Sequence, residues 1–305
     1  MNFHNIYKYR TKKCVEILNI NFNIVTIMKL HTINTGFFKL DGGAMFGVVP
    51  KSIWKKTNPA DENNMCSWAM RCLLIETKNQ LILIDTGIGK KQSEKFFNYF
   101  YLHGKDNLIK SIENTGFCCE DITDVIFTHL HFDHCGGAVI KENGMLKLLF
   151  PNAKHWTNKD HWESANNPNP REKASFLQEN FIPIEESGKL YFINEGRFNS
   201  NITLRFYYGH TYAQMIPFIE YNEQTLIFCA DLLPSTGHIP LPYVMGYDTK
   251  PLITLKEKES FLNEAYKKEY VLFLQHDYFN ECCLIDQEMG KFKVKKVGKL
   301  IDFIH

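Results

Sequence analysis

The chain has 305 residues, 44% of them hydrophobic, enough to bury a sizeable core as one compact unit. Its 35 basic and 34 acidic side chains leave a formal net charge of +1, so the bulk electrostatics give no reason to expect nucleic acid or an anionic membrane as partner. Nine cysteines, with adjacent pairs at Cys118-Cys119 and Cys282-Cys283 and no C-x-x-C spacing, indicate neither a disulfide framework nor a thiolate zinc site, and point to a reducing, cytoplasmic setting.

At the start, Lys8, Arg10, Lys12 and Lys13 precede CVEILNINFNIVTI, in the outline of a signal peptide. Glu16, Asn19, Asn21 and Asn23 interrupt the apolar run and no small-residue cleavage site follows, so residues 1–27 read as an extension outside the domain. No stretch reaches the roughly 20 apolar residues of a membrane span. Residues 28–305 are expected to form the domain itself. KLHTINTGFFKL is a strand, and CLLIET and LILIDTG form a hairpin through Lys78-Asn79-Gln80. From Gln92 to Asn114, apolar and charged residues recur at helical spacing, with Gly116 as the C-terminal cap. DVIFTH is a short buried strand. Pro151 to Gly196, Pro-punctuated and carrying Trp156, Trp162, Phe176 and Phe181, reads as an irregular helical insertion or lid. ITLRFYYGH, TLIFCAD and YVLFLQHD are strand-like runs that each end in a histidine or aspartate. TLKEKESFLNEAYKKEY is a helix with a capping box from Thr254 to Glu257 and an apolar face of Leu255, Leu262, Ala265 and Tyr266. Strands mixed with helices suggest an α/β sandwich whose strand ends converge on one site.

The densest chemistry lies in THLHFDHCGG, Thr128 to Gly137. In an extended chain alternate side chains share a face, so His129 and His131 can point at one ion while Asp133 and His134, at the turn beyond, face a second. Gly136 and Gly137 permit the tight turn that a crowded metal loop needs. This run alone cannot complete a tetrahedral ion, and the ends of the later strands supply what is missing: His210, Asp231 and His276. Cys135 should point away from the ions if His134 points in, and reads as a small buried side chain. No G-x-S-x-G context offers a serine nucleophile.

The pattern H-x-H-x-D-H-x-G-G, preceded by LIDTG and followed by His210, Asp231 and His276, resembles the metallo-β-lactamase fold superfamily from about Met28 to His276. The resemblance implies an αββα four-layer sandwich with metals at the sheet edges, usually two zinc ions. It assigns His129, His131 and His210 to the first ion and Asp133, His134 and His276 to the second, with Asp231 bridging and Asp85 orienting a ligand. Two cations ~3.5–4 Å apart would acidify a bridging water into a hydroxide and polarise a carbonyl or phosphoryl oxygen, with Asp133 or Asp231 carrying the proton to the leaving group.

An aspartate at 231, where the best-known β-lactamases of this fold place cysteine, argues against β-lactam hydrolysis. LDGGAMFGVVPKSIW and ADLLPSTGHIPLPYVMGYD resemble the branch that contains acyl-homoserine lactonases and organophosphate-hydrolase-like enzymes. The resemblance thus implies a small-molecule lactone or carboxylic ester substrate, with Met45, Phe46, Val49 and Trp54 as candidate pocket walls and a homodimer left open. Two departures stand out. Pro234 occupies the place of a tyrosine that lactonases aim at the substrate, leaving Tyr212, Tyr243 or Tyr278 to replace it, and GHTYAQM replaces the frequent G-H-T-P-G-H. His238 is read as capping a turn. The alternatives are a phosphotriester or thioester hydrolase of the same fold and a non-catalytic metal-binding module; an inactive module would be expected to lose ligands, and none is missing.

Overall fold

The computed structural model describes residues 28–304, so the expected extension, residues 1–27, lies outside the described residues. A six-stranded sheet runs in the order Lys29–Asp41, Met65–Glu76, Leu81–Ile84, Asp124–Ile126, Lys154–Thr157 and Leu190–Phe192. A seven-stranded sheet runs Lys291–Gly298, Cys282–Glu288, Val271–Phe273, Gln224–Phe228, Gln214–Tyr221, Ile202–Tyr207 and Gly196–Arg197. Side chains alternate along each strand, so Leu73, Ile75, Ile82 and Ile84 face the second sheet and join Leu204, Ile216, Ile227 and Phe273 in one core. Their neighbours Cys72, Leu74, Leu83 and Val125 face outward, against Ile112, Trp162, Phe181 and Ile184 of the covering segments. With both faces buried, these strands read as unbroken apolar runs. Phe261, Leu262 and Ala265 of the helix Pro251–Lys267 cover the other sheet. The result is an α/β sandwich with helices outside two packed sheets, the architecture that the resemblance implies.

The expected hairpin is present, with Glu76 paired to Leu81. Three other expectations need correction. Gln92 to Asn114 is two short helices, Glu94–Asn98 and Leu108–Glu113, because the chain between them leaves to pair with the first strand. Phe37 and His103 exchange backbone bonds at 2.9 Å, and Gly104 at φ 90° makes the return turn. Pro151 to Gly196 is no insertion: Lys154–Thr157 is a parallel strand beside Asp124–Ile126. The last helix begins at Pro251, whose fixed φ suits a first helical turn, so Thr254 lies inside it and the capping box does not form. Glu257 instead accepts the Tyr208 and Gly209 amides at 2.8 and 3.0 Å, bracing the chain just before His210.

The eight cysteines among the described residues are all free, and no described helix is long and apolar enough to cross a membrane. Lys258, buried on that last helix, donates to the carbonyls of Pro240, Leu241 and Tyr243 at 2.9, 3.3 and 2.8 Å. Burial lowers its ammonium to about 7. A folded-state value below that of the unfolded chain, about 10.4, means that the unfolded state binds the extra proton in between, so stability rises with pH across this window and is flat below it. Urea midpoints of wild type and Lys258→Met, measured from neutral to alkaline pH, should show wild type gaining stability relative to the variant as pH rises.

Candidate metal centre

The site grows from the carboxyl ends of Leu81–Ile84 and Asp124–Ile126, where two loops interlock. Thr86 N–H donates to His134 O at 2.7 Å and Gly137 N–H to Gly87 O at 2.9 Å. A Cβ on Gly136 would lie 2.2 Å from Ile88 O, and one on Gly137 2.1 Å from Thr86 O, so the paired glycines are what lets the loops touch. Asp85 adopts the left-handed conformation, φ 58°, a region that aspartate tolerates better than most residues. Its buried carboxylate accepts from Thr128 N (2.8 Å), Thr128 Oγ1 (2.8 Å), His134 Nδ1 (2.9 Å) and Gln275 Nε2 (3.0 Å).

All the expected ligand residues come together, and all are buried. In one group are His129, His131, His210 and Asp231; in the other are Asp133, His134 and His276; within each, the ligand atoms lie within 4.8 Å of one another. Asp231 faces both, with Oδ2 3.1 Å from His210 Nε2 and 3.5 Å from His134 Nε2, and Oδ1 3.0 Å from His276 Nε2.

The outward nitrogens are already committed. His210 Nδ1 donates to Asp248 Oδ1 at 2.9 Å, His276 Nδ1 to Ala69 O at 2.7 Å, and His134 Nδ1 to Asp85. Thr128 Oγ1, whose proton goes to Asp85, takes His129 Nδ1–H at 3.1 Å. His131 is turned the other way, its Nε2 3.7 Å from Glu172 Oε1 and its Nδ1 inward. With a single proton on each ring, lone pairs would face each other: His134 Nε2 and His276 Nε2 at 3.3 Å, and His131 Nδ1 and His210 Nε2 at 3.3 Å. Buried His129 Nε2 has no hydrogen-bond partner. Nitrogens at that separation need a cation, a proton or a metal ion, between or beside them, and a nitrogen and carboxylate donor set with fixed outer hydrogen bonds fits a divalent ion of the zinc type. Electrostatics agree. Burial drives His129 well below the usual imidazole range. At His134 and His210 burial opposes charge, but Asp133 and Asp231 beside the first, and Asp231 and Asp248 beside the second, outweigh it and raise both, His210 to about 10.

Several supporting residues carry no signal of spacing in the sequence. Arg71, buried in the strand Met65–Glu76, donates to the carbonyls of Leu274 (3.2 Å), Asn280 (3.0 Å) and Asp277, folding the loop around His276. Asp248 holds the His210 ring, Gln275 holds Asp85 and Glu172 lies near His131, and of the three Gln275 alone sits beside a recognised ligand in sequence. His161 Nε2 accepts from Leu130 N at 2.8 Å, and burial lowers this imidazole to about 4. Cys135 is buried with its thiol on Leu130 O at 3.3 Å, burial pushing its pKa up, which leaves it inert.

Around the rim, Met45, Phe46 and Trp54 turn out to be core. Phe46 stacks between Trp54 (5.4 Å) and His238 (4.4 Å), with His238 closing its turn on Ser235 Oγ at 2.8 Å. Phe132, between ligands His131 and Asp133 in the chain, packs its ring against Phe96 and Phe100 at 5.4 and 4.7 Å. Pro234 offers its carbonyl to His276 N at 3.1 Å. Of the candidate tyrosines, Tyr212 lies beneath Lys250 and Tyr278 packs on Phe37 and Phe279. Tyr247 carries no signal of spacing in the sequence. It is 40% exposed, and desolvation and then the charges of Asp133 and Asp41 raise its phenol to about 12.

Comparison with known proteins returns a consistent set. The family model described as Metallo-beta-lactamase superfamily matches residues 71–276. An N-acyl homoserine lactonase of Bacillus thuringiensis is 26% identical over 274 residues, covering 84% of this chain and 96% of that protein. A probable metal-dependent hydrolase from Staphylococcus aureus superposes with a TM-score of 0.82 at 29% identity, over 90% of this chain and 97% of that one. AidC, a dizinc quorum-quenching lactonase, superposes with a TM-score of 0.73 at 23% identity, over 88% and 93%.

Protons and ions should compete for these nitrogens. His210, with its folded value raised to about 10, holds its proton at neutral pH when no ion is present, and an incoming cation must displace it. Its contribution to the ion-free fold is complete below about pH 6.5 and lost as pH rises through the folded value. Apparent ion affinity should therefore climb with pH from acid to alkaline conditions. Calorimetry in buffers of different ionisation enthalpy should register at least one proton released.

Proposed function

The chain belongs to the metallo-β-lactamase superfamily, and on that premise we propose that it is a dinuclear metal-dependent hydrolase opening a lactone or carboxylic ester of a small molecule. The observation that carries this reading is the pairing of inward-facing imidazole nitrogens at 3.3 Å in both ligand groups, with Asp231 facing each. His129, His131 and His210 would hold one ion and Asp133, His134 and His276 the other, with Asp231 shared; zinc suits the donor set. When bound, such a pair of cations supplies a water acidified toward neutrality and polarises the substrate carbonyl.

The remaining work falls to side chains. Asp133, with 12% of its side chain exposed, takes the proton of the attacking water and carries it to the leaving alkoxide. Tyr247, protonated up to about 12, donates to the carbonyl oxygen as negative charge develops there. Phe132, Phe96 and Phe100 give an acyl chain an apolar surface to lie on, worth about 0.8 kcal/mol per methylene buried. The similarity to N-acyl homoserine lactonases over 84% of this chain supports a lactone with such a chain.

Zinc content and turnover should be measured on acyl-homoserine lactones of increasing chain length, simple lactones, aryl esters, thioesters and phosphotriesters. Lactone or ester turnover with two ions per chain is expected, and Asp231→Asn should lower it by more than about 100-fold, beyond what loss of a merely supporting group costs. A chain that binds no divalent ion, or hydrolysis that survives the substitution, would refute the reading. Tyr247→Phe should lower kcat by about 10²-fold, as loss of an oxyanion donor does; steady-state kinetics with an unchanged kcat would remove Tyr247 from the reaction.

A further inference from the structure

We infer that His161 is a positioning residue whose imidazole sets the separation between the two loops that carry the first ligand group. The inference rests on the dinuclear reading above. His161 lies in the helix Lys159–Asn166 and is completely buried. Both ring nitrogens are engaged by backbone groups of the ligand loops. Nε2 accepts from the N–H of Leu130, the residue between His129 and His131, at 2.8 Å. Nδ1 donates to the carbonyl of Tyr212, two residues beyond His210, at 2.7 Å. An amide N–H can only donate and a carbonyl can only accept, so the tautomer is dictated and the ring acts as a strut of fixed length.

The strut has its own foundation. Asn158 Oδ1 accepts from His161 N at 2.7 Å and caps the helix, while its amide donates to Ala213 O at 2.7 Å. Two side chains one helical turn apart thus grip consecutive carbonyls of the loop after His210. Phe176 closes the other side, its ring 5.8 Å from His161 and 4.8 Å from His131. The His161 ring lies 6.3 Å from that of His129, near enough to be mistaken for a further ligand. With both nitrogens bonded away from the ions it has no lone pair to offer, and its effect must pass through the spacing of His129 and His131 against His210.

The test compares wild type with His161→Phe, which keeps a ring against Phe176 but makes neither bond, and with His161→Gln, which can still donate and accept. Calorimetric titration with Zn²⁺ reads stoichiometry and affinity, and the visible absorption of the Co²⁺-substituted protein reads ligand geometry. His161→Phe should weaken one ion of the two by about 10- to 100-fold, as loss of supporting partners does, and shift the Co²⁺ bands, with His161→Gln recovering most of the loss. Should His161→Phe fail to fold, Asn158→Ser carries the test, since serine still caps a helix but cannot reach Ala213; it should weaken the same ion by several-fold. Two ions bound with wild-type affinity and unshifted bands in these variants would overturn the inference. A wild type that binds no Zn²⁺ would overturn the dinuclear reading, and this inference with it.

Discussion

One carboxylate ties the site into a single object. Asp85 accepts four hydrogen bonds, from Thr128 twice, from His134 and from Gln275, and so gathers two ligand-bearing segments around a left-handed turn at the end of a central strand. A buried carboxylate is costly unless its oxygens are satisfied, and here each donor that satisfies it also fixes a ligand or its neighbour. Thr128 passes the bond on to His129 Nδ1, and Gln275 adjoins His276. Fixing the outer nitrogen of a ring turns the inner one toward the ions, so the orientations of His129 and His134 are settled before any ion arrives.

The same logic recurs around the site with different partners. Asp248 serves His210, and the Ala69 carbonyl serves His276. Arg71 stiffens the loop after His276, while Asp277 accepts from Thr236 N at 2.8 Å and joins that loop to the turn following Asp231. The inward surface therefore combines rings that cannot rotate with two carboxylates that favour positive charge. Relaxation of such a cluster without a cation would require several buried bonds to break together.

The motif Thr128 to Gly137, with His210, Asp231 and His276, was legible because metal ligation demands particular residue types at particular strand ends, and that demand is written locally. Asp85 was legible for the same reason. Asp248, Glu172, Arg71 and His161 were not, since each acts through a contact made across more than 30 residues and many polar residues would look equivalent in a list. Apolar loops misled in the opposite direction: Met45, Phe46 and Trp54 have the composition of a pocket lining, but burial against Trp68 and His238 turns them into core. Phe132 was hidden inside the motif, where attention goes to its charged neighbours. The division of Gln92 to Asn114 into two helices was illegible because the bridge to Phe37 that breaks it is a long-range pairing.

The rims of the two sheets are as deliberately built as the centre. An unpaired strand edge is a template for any other extended chain, and sheets this wide have four such edges. Leu190–Phe192 and Gly196–Arg197 are too short to offer much. Lys29–Asp41 is long, but it is irregular between Asn34 and Phe37 and covered from there by backbone bonds from Phe100 and His103. Lys291–Gly298 is long and open, and it presents Lys291, Lys293, Lys295 and Lys296 to solvent, so a second copy approaching edge to edge would bring like charges into register. The lysines of this strand thus set a charged guard on the one long edge that no other backbone segment is seen to pair with among the described residues.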